Sequence, residues 1–313
     1  MKSLKKDAVY LGAPLFMSKS PSKDFKFLQE KLESKLAGWR SRTLSWAGRC
    51  TLITSVAQAF PSYTLSAFHV PTKNCDKLDS MTRRFWWKPK EEGKFIAWKQ
   101  WDKLCCPKAT GGLGFKKTKE VNAALLAKLA WMVASGKQSI CMEVLRTKYK
   151  VKEDWLRAEP KKIASPTWRA IEDAKNLVVK GACYLLGDGK SISVWEDPWI
   201  PWIEGFKPRP RIEVYSQLPF KAHHLFDPSL KTWDANMIKE IFDSDSAIAI
   251  LTIPIPITLR QDKLIWLPNP KGNFLVKSVH KVAFQYSNSN DQAQNALMEE
   301  RCQRLACKGE PLA

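Results

Sequence analysis

At 313 residues the chain is long enough for one large domain or two ordinary ones, and 44% hydrophobic with 26% charged residues is a globular balance that excludes a disordered or fibrous polymer. The 51 Lys and Arg against 31 Asp and Glu leave a net charge of +20, and residues 1–150 carry nearly all of it: 29 basic and 11 acidic side chains, net +18, against 22 and 20 in the remainder. A positive field gathered in one half favours a polyanionic partner, nucleic acid first and an anionic membrane second.

The elements follow from periodicity. In residues 20–39, Phe25, Leu28, Leu32, Leu36 and Trp39 recur every three or four positions, which predicts a helix with Pro21 in its first turn. Leu44, Ala47, Leu52, Val56 and Phe60 draw a second helix that Pro61 stops, and Pro71 and Pro89 bracket a third on Leu78, Met81 and Phe85. A short Trp-rich helix is expected at residues 96–105, followed by the turn Gly111-Gly112-Leu113-Gly114 and helices at residues 118–134 and 140–149. After a helix near residues 166–180 the pattern changes. Residues 183–186 and 191–195 predict a hairpin through Gly187-Asp188-Gly189-Lys190, and residues 264–267 and 273–276 predict a second around Pro270-Lys271-Gly272. Helices are expected at residues 233–242 and from Ser278, and the composition beyond Ser287 is too polar to predict stable order. The fold class is therefore α+β: a mainly helical N-terminal half, then a smaller mixed α/β region with short β-hairpins.

No stretch approaches the roughly 18 uninterrupted apolar residues of a membrane span. The basic start Met1-Lys2-Ser3-Leu4-Lys5-Lys6 imitates a signal peptide, but Asp7, Gly12 and Pro14 spoil the apolar segment, so an intracellular chain is expected. The eight cysteines (50, 75, 105, 106, 141, 183, 302 and 307) form neither a disulfide framework nor paired zinc knuckles, and Cys302 with Cys307 has nothing beyond it to complete a site, so no metal is expected.

Chemistry on phosphodiesters needs carboxylates converging on divalent metals. The local pairs Glu91-Glu92, Asp243 with Asp245, and Glu299-Glu300 each suit a solvated charge better. Gly187-Asp188-Gly189-Lys190-Ser191 lacks the glycine spacing of a phosphate-binding loop and is better taken as a turn. The adjacent pair His223-His224 should point in different directions with no third ligand placed. No nucleophile elbow or paired Cys and His is found, so no catalytic residue, cofactor or small-molecule substrate is expected and the chain is expected not to be an enzyme.

Binding remains. Trp39-Arg40-Ser41-Arg42, Trp46-Ala47-Gly48-Arg49 and Arg83-Arg84-Phe85-Trp86-Trp87-Lys88 interleave cations with indoles. Such strings suit phosphate contact with base stacking, or cations snorkelling over core tryptophans. The expected arrangement has the indoles, Trp46 included, in the core and Arg40, Arg42, Arg49, Arg83 and Arg84 facing a phosphate backbone. Lys116, Lys117 and Lys119, at a helix start, could add backbone donors to their charge.

Specific strings then carry a family resemblance. Tyr10-Leu11-Gly12-Ala13-Pro14-Leu15, Leu36-Ala37-Gly38-Trp39, Leu44-Ser45-Trp46-Ala47-Gly48-Arg49, Ile96-Ala97-Trp98, Cys106-Pro107-Lys108 and the Gly111 to Gly114 turn occur in that order. They are followed by Leu186-Gly187-Asp188-Gly189-Lys190-Ser191-Ile192, Trp195-Glu196-Asp197-Pro198-Trp199, Asp262-Lys263-Leu264-Ile265-Trp266 and Gly272-Asn273-Phe274-Leu275-Val276-Lys277-Ser278-Val279. The series, over residues 8–285, resembles the segment after the palm in plant LINE-type non-LTR retrotransposon reverse transcriptases. It implies a basic thumb-like region at 1–150 that grips template and primer, a mixed connector at 151–286 leading to a reverse-transcriptase zinc-binding domain, and a disordered tail at 287–313. RNA or DNA held by its phosphates is the implied partner, with a nuclear location and no membrane; oligomeric state is not legible. The palm should precede Tyr10, where only residues 1–9 stand, so a truncated, non-catalytic remnant is expected. The alternatives are a structural or protein-interaction fragment, or one piece of an active reverse transcriptase whose palm is encoded upstream.

Overall fold

The computed structural model describes residues 9–10, 13–14, 18, 20–40, 42–88, 95–217, 220–227, 232–256 and 260–288. Glu91-Glu92, Glu299-Glu300, Cys302, Cys307 and the expected disordered tail from residue 289 onward lie outside them. The chain divides into two compact units, one of residues 1–126 with 163–171, the other of residues 127–162 with 172–313. The class is α+β: helices carry both units, and the four-residue strands belong to one small antiparallel sheet.

The first unit begins with the two-residue strands β1 (Val9–Tyr10) and β2 (Ala13–Pro14), paired antiparallel. Then come α1 (Pro21–Asp24) and α2 (Lys26–Arg40); Phe25 between them and Leu28, Leu32 and Leu36 on α2 are buried as their spacing predicts. Ser45 caps α3 (Trp46–Leu52) by accepting from the Gly48 amide at 3.2 Å. The expected single helix ends there. Ile53–Ala57 is a π-turn, and Thr54 Oγ1 donates back to the Cys50 carbonyl at 2.9 Å, the kind of side-chain bond that loosens a helical ladder. A further helix, α4 (Ser62–Ala67), follows Pro61 unforeseen, and α5 (Thr72–Trp87) packs on α2. The Trp-rich helix is shorter than expected: α6 is Trp101–Cys105, and residues 95–97 have no regular structure.

Helix α7 (Thr118–Ala134) matches its predicted span, and its Asn122 is almost fully buried within the first unit. There it accepts from the Val70 amide at 2.9 Å and donates to the carbonyls of Leu65 at 2.6 Å and Phe68 at 2.8 Å. These bonds satisfy the backbone where α4 ends, the usual condition for a buried amide.

The second unit holds α8 (Ile140–Tyr149), α10 (Lys175–Val179), α11 (Ala235–Ile241), α12 (Ser244–Thr252) and α13 (Val276–Asn288), while α7 and α9 (Pro166–Asp173) run across the unit boundary. The first expected hairpin does not form. Strand β3 (Ala182–Leu185) pairs antiparallel with β4 (Lys263–Trp266), in the register Ala182 to Trp266 and Leu185 to Lys263. Residues 191–195 contribute only an isolated bridge, Ser193 to Lys221. The second expected hairpin keeps its turn, with the Trp266 amide on the Gly272 carbonyl at 2.8 Å, but residues 273–275 are not a strand and lead into α13. Helix α12 was unforeseen; Asp243 caps it by accepting from the Ser246 amide at 2.8 Å.

Candidate nucleic-acid interface

The structure sorts the sequence-predicted cations by what each already touches. Arg49 is turned inward: its guanidinium donates to the Trp86 carbonyl at 2.8 Å and the Leu44 carbonyl at 3.4 Å and lies 4.1 Å from the Trp46 ring centre. It rivets α3 to the end of α5. Arg40 is largely buried in an ion pair with Glu33. Arg83 is half-buried, and its Nε has no hydrogen-bond partner among the described residues. Arg84 is half-buried and Arg42 exposed.

The indoles are mostly core, as expected: Trp86 is 7% exposed and meets Phe115 edge-on at 5.4 Å. Trp46 is the correction. It is 51% exposed at the first residue of α3, although Trp86 at 4.9 Å, Trp87 at 6.0 Å and Arg49 lie against its ring.

The start of α7 does not offer an open phosphate cradle. Thr118 donates from its amide and hydroxyl to the Asp79 carboxylate, at 3.1 and 2.6 Å, so an internal anion already occupies the helix N-terminus. Burial pushes that carboxyl up from its ordinary 3.8 to about 6, against the downward pull of the Thr118 bonds. Lys117 pairs with Asp102 at 3.0 Å and Glu120 at 3.9 Å; burial alone would lower its pKa, and the Asp102 bond with both carboxylates outweighs this and raises it. Lys116 and Lys119 stay exposed.

The turn ahead of them is built by close approach. A Cβ on Gly112 would stand 1.9 Å from the Cys106 carbonyl oxygen, and Gly111 has a φ of +79°.

The second glycine string behaves alike. In the second unit the amides of Gly187, Gly189 and Ser191 and the Ser191 hydroxyl all donate to the Asp262 carboxylate, at 2.8, 2.9, 3.0 and 2.7 Å. This nest resembles those that hold phosphate, but a side chain from 71 to 75 positions later fills it. It also explains the failed hairpin, since the amides of residues 187, 189 and 191 are aimed at Asp262 and not across a turn to residues 183–186. The imidazoles of His223 and His224, expected to diverge, lie 4.1 Å apart because they sit in a short 3-10 turn.

Sequence reasoning missed the clearest basic stripe. On α5, Lys73, Lys77 and Arg84 stand at spacings of four and seven, one face of a helix, opposite the buried Cys75, Leu78 and Phe85. Lys73 and Lys77 are exposed. The signal was the i, i+4, i+11 spacing, which overlaps the Arg-Trp string at Arg84.

No family model matches the chain. Two relatives from Arabidopsis thaliana do. One, bearing the name of a ribonuclease H protein, is 31% identical over 281 residues, 86% of this chain and 44% of the relative, so the chain spans less than half of that protein's length. The other, an uncharacterized mitochondrial protein, is 34% identical over 143 residues, 45% of this chain and 93% of its own length. The chain belongs to the family of this mitochondrial protein. One of these matches overturns an expectation: the chain was expected not to be an enzyme, and that exclusion does not stand, because the relative matching 86% of it carries an enzyme's name. Metal-dependent sites assemble carboxylates from positions distant in sequence, so adjacent pairs alone do not decide the chemistry. Among the described residues no group of three or more His, Cys, Asp or Glu could hold a metal ion, and no helix is long and apolar enough to cross a membrane.

Proposed function

We propose that the chain is the nucleic-acid-gripping part of a plant LINE-type retrotransposon reverse transcriptase, contacting the phosphate backbone of RNA or DNA with the exposed basic faces of residues 1–150. The α5 stripe carries this reading. At 1.5 Å per residue, Lys73 to Arg84 extends about 17 Å, which faces about five phosphates of one strand at 3.4 Å each. Arg42, Lys116 and Lys119 add exposed charge, and Arg83 adjoins the stripe. The kinship with a protein named for ribonuclease H supports a nucleic-acid partner. Residues 151–286 serve in this reading as the connector toward a zinc-binding region, and a nuclear site of action accompanies it.

Phosphate contacts release counterions, so affinity falls with salt at a slope of about −0.9 per contact on B-DNA. Replacing Lys73, Lys77 and Arg84 together by Gln is expected to flatten the slope by about 3 and to weaken binding about 100-fold at 0.15 M salt. The assay is fluorescence anisotropy with a labelled duplex from 50 to 300 mM salt. An unchanged slope, or a wild-type affinity indifferent to salt, would overturn the reading.

A further inference from the structure

Most of the string from residue 96 to residue 114 is accounted for by packing. Trp101 is 9% exposed, with its ring 5.5 Å from that of Phe115; Leu104 and Cys105 are buried; and Gly112 fits against the Cys106 carbonyl. Two residues of it are not. Ile96 is 75% exposed and Trp98 is 80% exposed, on non-helical backbone just before the Gln100 cap of α6. Among the described indoles this differs from Trp46, whose ring is covered by Trp86 and Arg49. Among the described residues no ring or cation contact is made by Trp98, and at 80% exposed the indole is largely open to solvent.

The exposed charge that follows it in the sequence is mainly positive. Lys99, Lys103, Lys108, Lys116 and Lys119 are exposed. The two acids in the same stretch, Asp102 and Glu120, are both engaged by Lys117. Trp101, fixed in the core three positions on, anchors the segment. An open indole on an anchored backbone amid exposed lysines has the chemistry of a platform for an unpaired base: the π-face accepts any base by stacking, and the lysines supply charge for the adjoining phosphates.

We infer that Trp98 stacks an unpaired nucleobase, with Lys99 and Lys103 attracting the phosphates beside it, so that the chain holds single-stranded nucleic acid at this point. The inference rests on the nucleic-acid reading above and deepens it. A paired base has both faces covered within its stack, so Trp98 should discriminate strandedness while the α5 stripe should not.

The test compares the full chain with Trp98→Ala and Trp98→Phe by anisotropy at 0.1 M salt, using labelled oligo-U, oligo-dT and a duplex of the same length. Trp98→Ala is expected to weaken both single strands about 5- to 150-fold, to leave duplex affinity within twofold, and to be largely rescued by Phe. Retained duplex binding also reports that the variant is folded. Loss confined to oligo-U or to oligo-dT would support stacking and assign RNA or DNA. Equal loss on single strands and duplex, or no loss on either, would overturn the inference while leaving the proposed function standing, the latter being expected if the indole instead docks a protein. Wild-type chain that binds none of the three probes would overturn both.

Discussion

Asp262→Ala removes an anion from a nest of four donors and offers the most direct test of how the second unit is held. Two donors, the Gly187 and Gly189 amides, are part-buried and bind Oδ1 at 2.8 and 2.9 Å; the other two belong to Ser191, where water can replace the carboxylate. A hydrogen bond to a charged group is worth about 1.5–3 kcal/mol, so counting only the Gly pair, at the low end because Asp262 is itself half-exposed, gives about 3 kcal/mol. At 1.36 kcal/mol per factor of ten, the amides of residues 187–189 should exchange with solvent about 100-fold faster. Asp262→Asn keeps one acceptor oxygen for the glycines and should show about a tenfold effect. Amide hydrogen exchange on the full chain is the suitable assay, because it reports local opening and does not require the two units to unfold together. Wild-type exchange across residues 186–191 in Asp262→Ala would refute the reasoning, and so would a uniform rise across the second unit, which would mean that the nest governs global rather than local stability.

Asn122→Leu should leave the Val70 amide and the Leu65 and Phe68 carbonyls without their buried partner, lowering stability by about 3 kcal/mol or more and shifting the urea midpoint of tryptophan fluorescence downward. Asp79 predicts a pH dependence. Its folded carboxyl titrates near 6 against 3.8 ordinarily, so the folded chain binds that proton more tightly than the unfolded chain does. The resulting stabilisation is fully present below about pH 4 and is lost as pH rises through 6, a difference of about 3 kcal/mol. Urea titrations at pH 4, 5, 6 and 7 should show that trend, and Asp79→Asn should remove most of it.

Much of the helical framework was legible in advance. The spans 118–134 and 140–149 match, and Leu28, Leu32 and Leu36 are buried as their spacing requires, because an amphipathic stripe is a local property of the chain. The strand pairing was not legible. Residues 183–186 seek a partner by pattern, and residues 191–195 stood nearest; the partner in the fold is Lys263–Trp266, beside which the Asp262 carboxylate binds the Gly187 amide. The short helices α4 and α12 escaped because one turn or two carries too little periodicity to register.

The candidate interface divides along the same line. The amino-acid order by itself determined that residues 1–150 are basic and helical, since charge and periodicity are summed residue by residue and need no partner. Which cations still face solvent was decided only by the tertiary structure. Arg49 and Lys73 are equally positive in the sequence, but one lies beneath the Trp86 carbonyl and the other on the open side of α5. Asp79 and Asp262, likewise, read as ordinary carboxylates until the fold sets each against backbone donors remote in sequence, where they fill the anion sites that the glycine and lysine strings had advertised. Whether a donor is already satisfied depends on groups brought to it through space, and that information is absent from any local window of the chain.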